Sequence, residues 1–589
     1  MVTEITVLTF NLWGIFNSEH RAARMEQFAT KIAHYDVILL QEQFSEKDFE
    51  FIRSRLPSEV RDTRFFRRFP SAFYGSGVAV ISRFFIKSAL FFTFPLQGYP
   101  ERVLHGDYYA NKGASLVRLS IPCSMGTGAS SNPPCDEVSL YCTHLVAAYE
   151  KTARLLNWRD ELYLSVRLSQ AISLAGFISE TSHPTNRVII GGDFNATQRS
   201  LELQTMLILL RQRGFKILSV LPPSIVHRPE MSELERKINT ETLTFSDANV
   251  FNTTKEGWFV QGGDVPCQID HIFYTANTLR LSNYKDCPDA PADYSFQMPI
   301  EGVEKPVGVV VFTDNKEVRL PPRTGIWVKA CNGLAAVGNA IRCGPLVTVA
   351  RSLAHGNGVN NSEPQFCPIS DHYGVAARFK LEEEEGVTIA EHNPASKGGE
   401  TAVKLTEAEI EVLREAAGFL DDSVKRLLYE SRLCVWFSAT MAVLVVGHLL
   451  YMELQAQQQE NHTRLVLQEL FAFGRLRGSA MNLEESLSGA AFSNLRRWLR
   501  AVASGKSDNY PAETEAKPQS VASVNVAIDY TDMASRLHAR GISSVFSPLF
   551  IISGSLLSAA SLATALLQRK AYAKVLAEQV VMLTHDFSE

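Results

Sequence analysis

The sequence predicts an α/β protein in which two β-sheets pack face to face between helices, followed by a C-terminal pair of membrane-spanning helices. Three observations predict this. Short β-branched apolar runs, Ile5–Phe10, Val37–Leu40 and Val188–Ile190 among them, alternate with segments of helical spacing, the mixture expected of a layered α/β domain. Several of these runs stop abruptly at residues able to carry chemistry. Two apolar stretches near the C-terminus each run to about 20 residues, which at about 1.5 Å per residue spans the hydrocarbon core of a bilayer.

The totals set the bounds. A chain of 589 residues is too long for one core and suits two to four units. The net charge of −5 provides no overall basic field, so no nucleic-acid partner is expected. Arginines do cluster at 53, 55, 61, 64, 67 and 68, either as a solvated face or as a contact for an anionic phospholipid activator. The nine cysteines are scattered and include no CxxC pair, which disfavours a zinc site or disulfide framework and suits a reducing compartment. Glu4 interrupts any signal peptide, so the bulk of the chain is expected in the cytosol.

Ile5–Phe10 is the first strand, ending at Asn11-Leu12-Trp13-Gly14. Arg24–Ala33 has helical spacing, with Met25, Phe28 and Ile32 on one face. Val37–Leu40 is a second buried strand, ending at Gln41-Glu42-Gln43, and Gly75–Arg83 is a Gly-led third. The segment His105–Gly113 leads into a strand over Ala114–Ile121. Cys123–Cys135, rich in Gly, Ser and Pro, is expected as an exposed loop, before a strand over Val138–Thr143 with His144 at its tip. A long amphipathic helix is expected over Trp158–Ser179.

The next strand, Val188–Ile190, is expected to end at Gly191 and Gly192, where the backbone can turn sharply. Asp193 and Asn195, two apart, would share a face if extended geometry persists. Cys267–Tyr274 is a strand carrying Asp270. Residues 286–368 are poorly periodic and are taken as an insertion. Ser370-Asp371-His372 then precedes the strand Val375–Phe379.

The expected domains are a catalytic part over 1–381, a linker over 382–404 and a juxtamembrane helix over 405–431. Spans follow at 432–453 and 545–567, joined by a loop over 454–540 and followed by a tail over 568–589. Cations flank the outer ends (Lys425, Arg426, Arg432; Arg569, Lys570, Lys574), which favours a hairpin with both ends, and the catalytic part, in the cytosol. The expected location is the endoplasmic reticulum or another endomembrane. Asn461-His462-Thr463 would then be a glycosylation sequon on the far side.

Asn11, Glu42, His144, Asp193, Asn195, Asp270, Asp371 and His372 thus stand at or beside strand ends. Their contexts, in order NLW, LLQEQF, THL, GGDFN, QIDHIF and SDHYG, resemble the endonuclease/exonuclease/phosphatase superfamily, with its DNase I-like four-layer α/β sandwich, over about residues 1–380. The NLWG start and the paired C-terminal spans are similar to the neutral sphingomyelinases and the inositol phosphosphingolipid phospholipases C. Asp107 and Lys112, five apart in GDYYANKG, resemble the Asp/Lys switch of neutral sphingomyelinases, in which the two residues pair near the catalytic centre.

The resemblance implies a Mg²⁺-dependent phosphodiesterase, Mn²⁺ serving in its place, that cleaves a membrane phosphosphingolipid to ceramide and a phosphorylated headgroup. A phosphodiester is anionic and repels nucleophiles, so such a site must offset charge and activate water. Glu42, with Asn11, is implied as the metal site. His372 would be the base, with Asp270 fixing its tautomer, and Asp193 would orient the attacking water. Asn195 and His144 would bind the phosphoryl oxygens, and Asp371 would lie near the metal. No obligate protein partner is implied. The insertion before SDH and the long loop between spans depart from the family pattern and leave phosphocholine and phosphoinositol headgroups both open. The alternatives are a membrane-tethered nuclease or phosphatase of the same superfamily, and an inactive lipid-binding scaffold.

Overall fold

The computed structural model describes residues 4–15, 18–71, 74–102, 105–122, 135–149, 158–223, 240–253, 267–282, 299–300, 303–304, 308–320, 366–381, 403–477 and 548–585. Its strands in chain order are β1 (Glu4–Asn11), β2 (Val37–Gln41), β3 (Phe65–Arg68), β4 (Ala79–Ser82), β5 (Phe85–Thr93) and β6 (Gly113–Pro122). They continue with β7 (Cys135–His144), β8 (Arg187–Asp193), β9 (Ile217–Ser219), β10 (Asp270–Thr275), β11 (Leu279–Leu281), β12 (Pro299–Ile300) and β13 (Val303–Glu304). Last come β14 (Val309–Val311), β15 (Val318–Arg319), β16 (Phe366–Cys367) and β17 (Gly374–Leu381).

One sheet runs β11-β17-β1-β2-β4-β3, with β14 also paired to β17; the other runs β5-β6-β7-β8-β10-β9. In each, a single parallel pair (β1/β2, β7/β8) sits among antiparallel neighbours. The period-2 alternation of strands explains how the sheets pack. Ile5 and Val7 of β1 face the second sheet and meet Val117, Leu140, Ile189 and Ile272 in a shared apolar layer. Leu8 and Phe10 point the other way, onto Met25 and Phe28 of the helix Arg21–Lys31 and Phe49 and Ile52 of the helix Glu46–Arg55. The helices Leu164–Thr181 and Leu201–Gln212 cover the far face of the second sheet, where Phe177 meets Tyr141 and Phe92. The four-layer sandwich is therefore observed.

Several local expectations change. The helix expected from Trp158 begins at Leu164, after a single 3₁₀ turn at Trp158–Asp160. β8 does not end at its glycines; it runs through both to Asp193. Their role is close approach, since a Cβ on Gly192 would strike the Thr143 carbonyl of β7 and one on Gly191 would strike Leu39 of the facing sheet. Asn195 is left-handed, with φ 48°, so it does not continue the face of Asp193. The insertion is partly drawn into the sandwich, because β14 pairs with β17. Residues 123–134, the loop called between the two cysteines, lie outside the described residues, as does most of 286–368.

Each of the clustered arginines has a local partner. Arg53 lies over Phe66, Arg55 over Phe51 and Arg67 over Phe69. Arg61 pairs with Asp62, Arg64 donates to the Ala33 carbonyl, and Arg68 donates to Gln43 and the Phe44 carbonyl.

The chain divides into two compact units, residues 1–426 with 572–589, and residues 427–571. One helix, Glu407–Arg477, takes in both the segment expected as juxtamembrane and the first span, and it carries the Asn461-His462-Thr463 triplet on exposed positions. Helical segments Glu407–Leu465 and Pro548–Thr584 are long and apolar enough to cross a membrane. Their outer faces expose large apolar side chains such as Trp436 (73%) and Leu567 (76%). Within the second unit the two helices are joined by small polar residues. Ser438 and Ser558 each donate to the other's carbonyl, and Ser561 donates to the Cys434 carbonyl, all at 2.9 Å. Such small-residue, hydroxyl-bonded contacts are the usual means of helix association in lipid. The segment expected as a tail carries the helix Lys570–His585, which belongs to the first unit from Tyr572 onward.

Candidate active site

The sheet registers bring the singled-out residues together. In the second sheet, His144 at the end of β7 lies beside Asp193 at the end of β8, and Asp193 lies beside Asp270 at the start of β10. Three chemically active side chains therefore stand abreast on one sheet edge. In the first sheet, Asn11 ends β1 beside Gln41 at the end of β2, and Glu42 follows with a left-handed φ of 53°. The loop before β17 supplies Asp371 and His372. All six strand-end and loop residues other than Glu42 and Asn195 are buried, from Asn11 and Asp270 at 0% to His372 at 6% exposed.

Asn11 ties the two sheets. Its amide nitrogen donates to Asp193 Oδ2 at 2.9 Å and to Glu42 Oε1 at 3.2 Å. Its own oxygen accepts the Trp13 N–H at 2.9 Å, which leaves one lone pair, while its amide orients the two carboxylates. Glu42 Oε2 is buried with no hydrogen-bond partner. Burial, and then the Asp371 carboxylate, push the Glu42 pKa up to about 7. An orphaned buried carboxylate oxygen of this kind suits a hard divalent cation, which prefers oxygen donors. One ligand atom each from Asp193, Asp270 and His372 also falls within 4.8 Å of the others, although part of that set is already engaged internally.

His372 Nδ1 bonds Asp270 Oδ2 at 2.9 Å, and its Nε2 lies 3.9 Å from Asp193 Oδ2. Asp270 is itself fixed, its N–H donating to Thr244 Oγ1 at 3.0 Å. Burial would lower the His372 pKa, but the charges of Asp270 and Asp193 and the Asp270 hydrogen bond outweigh it and hold it at about 10. Burial, then Asp270, raise Asp193 to about 6. Two adjacent buried carboxylates thus lift this imidazole above the ordinary histidine range.

Lys112 is fully sequestered, 1% exposed, and its ammonium contacts Asp107 Oδ1 at 2.9 Å, His144 Nε2 at 2.9 Å and the Leu145 carbonyl at 2.8 Å. Gly106 and Asn111, both left-handed, bracket the short helix Asp107–Ala110 and turn Asp107 and Lys112 inward. Asp107 is further held by the Ala147 N–H at 3.0 Å. Since Lys112 donates to Nε2, the His144 proton sits on Nδ1, and burial, then Lys112, keep its pKa well below the usual value. His144 Nε2 also lies 3.4 Å from Asp193 Oδ2.

Asn195 donates its amide to the Leu145 carbonyl at 3.0 Å, and its N–H to Asp193 Oδ1 at 2.9 Å. Both expected phosphoryl contacts, Asn195 and His144, are therefore internally bonded. Asp371 accepts from the Ser370 hydroxyl at 3.3 Å, and Asn252 holds its carbonyl at 2.9 Å.

Arg24 escaped the sequence reading. It is fully buried, and its guanidinium bonds the carbonyls of Leu12, Trp13 and Ile369 at 2.9 Å each, Glu19 at 2.7 Å and the Ser18 hydroxyl at 3.0 Å. It thereby clamps the turn after Asn11 to the loop before Asp371, stacked over Trp13 at 4.8 Å. Gly14 in the same turn lies so close to the Glu42 backbone that a Cβ would strike its carbonyl. The one available signal was helical phase, because Arg24 precedes the buried Phe28 by four residues. Thr244 lies in no motif and left no signal.

Residues 8–372 match the Endonuclease/Exonuclease/phosphatase family. An inositol phosphosphingolipids phospholipase C from Schizosaccharomyces pombe is 31% identical over 312 residues, covering 51% of this chain and 68% of the relative. Sphingomyelin phosphodiesterase 2 from Rattus norvegicus is 32% identical over 200 residues, 33% of this chain and 42% of that protein, so the chain spans under half of this second relative. Among solved structures, sphingomyelinase C from Streptomyces griseocarneus aligns over 64% of this chain and 99% of its own, at 13% identity and a TM-score of 0.35. The chain belongs to the endonuclease/exonuclease/phosphatase family.

Proposed function

We propose that this protein is a Mg²⁺-dependent phosphodiesterase of the phospholipase C type, with Mn²⁺ able to substitute, acting on sphingomyelin or an inositol phosphosphingolipid at a membrane surface. The observation that carries this reading is the pairing of a buried, partnerless Glu42 oxygen with the Asp270–His372 couple across Asp193. Glu42, beside Asp371, would hold the ion. When bound, it supplies charge neutralisation at the phosphoryl oxygens and favours ionised water and neutral imidazole.

The chain's own residues account for the rest. Asp270 keeps the proton on His372 Nδ1, leaving Nε2 to accept a proton from water. Asp193 aligns that water. A new bond forms from the water oxygen to phosphorus, the bond from phosphorus to the ceramide oxygen breaks, and the proton gathered by His372 passes to the leaving oxygen. The products are ceramide and the phosphorylated headgroup. Lys112, just before β6, and His144 and Asn195, at the β7 and β8 ends, would exchange internal bonds for the phosphoryl oxygens as negative charge develops there.

Residues 572–589 fold with residues 1–426, which supports a hairpin with both ends on one side of the membrane. With the flanking cations, that side is the cytosol of an endomembrane such as the endoplasmic reticulum.

The test is headgroup release from mixed micelles by the detergent-solubilised protein, offering sphingomyelin and inositol-phosphoceramide separately with Mg²⁺, Mn²⁺ or chelator. Metal-dependent release from either lipid, abolished by His372→Ala, is expected and identifies the headgroup. Release that survives His372→Ala refutes the mechanism. No release from either lipid by folded, metal-loaded protein refutes the substrate class.

A further inference from the structure

The helix Lys570–His585 lies beyond both spans in sequence, yet it reaches the segment that holds Lys112. Tyr572 is 7% exposed; its hydroxyl donates to the Gly98 carbonyl at 2.8 Å and accepts from the Gln97 N–H at 3.0 Å. One hydroxyl thus satisfies adjacent backbone groups at a turn where Gly98 is left-handed, with φ 106°. The Gln97 side chain, 8% exposed, donates to the Lys112 carbonyl at 2.8 Å and to the Phe94 carbonyl at 2.6 Å. The Phe94 N–H adds a bond to the same Lys112 carbonyl at 3.1 Å. Lys112 in turn places its ammonium on His144, Asp107 and the Leu145 carbonyl.

From this continuous series of bonds we infer that Tyr572 is a positioning residue for Lys112: it fixes the Gln97–Gly98 turn, Gln97 fixes the Lys112 backbone, and the ammonium is thereby aimed at His144. The inference rests on the catalytic reading above and extends it to a residue of the C-terminal helix. The physical requirement is rotational. A lysine ammonium has a flexible stem, and holding its nitrogen on two acceptors and a carboxylate requires a fixed backbone at its root. The same helix offers an internal control, because Gln579 bonds the Ser169 carbonyl at 3.2 Å and the Ser173 hydroxyl at 3.3 Å. Those bonds dock the helix on Leu164–Thr181, and neither is made to the Gln97–Gly98 turn or to Lys112 itself.

The test uses the full chain in mixed micelles. Tyr572→Phe removes one oxygen and should lower kcat on the order of tenfold, with KM for lipid unchanged. Gln579→Ala should leave kcat within about twofold. In a Lys112→Met background, Tyr572→Phe should produce no further fall, because its effect passes through the ammonium. Equal losses from Tyr572→Phe and Gln579→Ala, or additive losses with Lys112→Met, would overturn the inference, since both mark a docking role alone. Hydrogen exchange at the Phe94 amide supplies a readout independent of turnover. Faster exchange in Tyr572→Phe than in Gln579→Ala is expected even if neither lipid is a substrate, and equal exchange in the two variants overturns the inference whatever the substrate.

Discussion

Replacing Asp270 with Asn tests the centre of the site with almost no change of volume. The Asp270 carboxylate bonds His372 Nδ1 at 2.9 Å, and both groups are buried. A charge-assisted bond contributes about 1.5–3 kcal/mol and a neutral one about 1, so the protonated imidazole loses about 0.5–2 kcal/mol of stabilisation. At about 1.4 kcal/mol per pKa unit, the His372 pKa should fall by roughly one unit from about 10. Tautomer loss matters more. An Asn amide can turn its NH₂ toward Nδ1, which moves the ring proton to Nε2 and removes the base. The expected fall in kcat is on the order of 10²–10⁴, with KM nearly unchanged.

The sign of the stability effect follows from the raised folded pKa. A histidine held at about 10 against an ordinary 6.5 contributes stability that is complete below pH 6.5 and is lost as pH rises through 10. The deficit of Asp270→Asn in thermal unfolding should therefore be largest below pH 6.5 and shrink above it. Headgroup release from micelles across pH, with parallel thermal melts, measures both. A kcat within about threefold of wild type at every pH would refute the assigned base and its orienting carboxylate.

Glu42→Gln should raise the Mg²⁺ concentration for half-maximal activity by at least about tenfold, read from a metal titration. Metal-free protein should lose thermal stability between about pH 4.5 and 7, because Glu42 and Asp193 have folded pKa values raised to about 7 and 6 and favour their protonated forms. Mg²⁺ should therefore raise the melting temperature more at pH 8 than at pH 5, and a pH-independent increment would count against these carboxylates as its site. Arg24→Met should cost on the order of 3–5 kcal/mol in denaturant unfolding, since five acceptors, three of them buried carbonyls, lose their donor; a loss under about 1 kcal/mol would mean the clamp is dispensable. Gly192→Ala should destabilise by at least about 1–3 kcal/mol through collision with the Thr143 carbonyl, and melts as stable as wild type would contradict the strand spacing.

Much of this site was legible because strand ends leave a strong local mark. Asn11, Glu42, His144, Asp193 and Asp270 each stand at or beside the end of a short β-branched or aromatic apolar run, a pattern that reads as a buried strand. The two long apolar helices were legible from local pattern as well, since length and composition alone decide whether a helix is able to cross a bilayer. The sequence also marked Asp107 and Lys112 as a pair, by their spacing within GDYYANKG.

What the tertiary structure decided is everything that depends on one segment touching another far away in the chain. Local pattern read Gly191 and Gly192 as a turn, whereas the structure uses them for the Thr143 carbonyl and Leu39 to come close. It marked His372 as a base, whereas only the fold brings to it the two carboxylates from β8 and β10 that raise its pKa to about 10. Asn11 was expected to share in holding a metal; only the fold shows that its oxygen also accepts the Trp13 N–H and that its amide reaches Asp193 and Glu42. Arg24 and Tyr572 carry no motif, because their partners lie up to 345 and 475 positions away. Periodicity records which face of an element is apolar; it does not record which loop that face will meet, and hydrogen bonds and buried charges depend on that meeting.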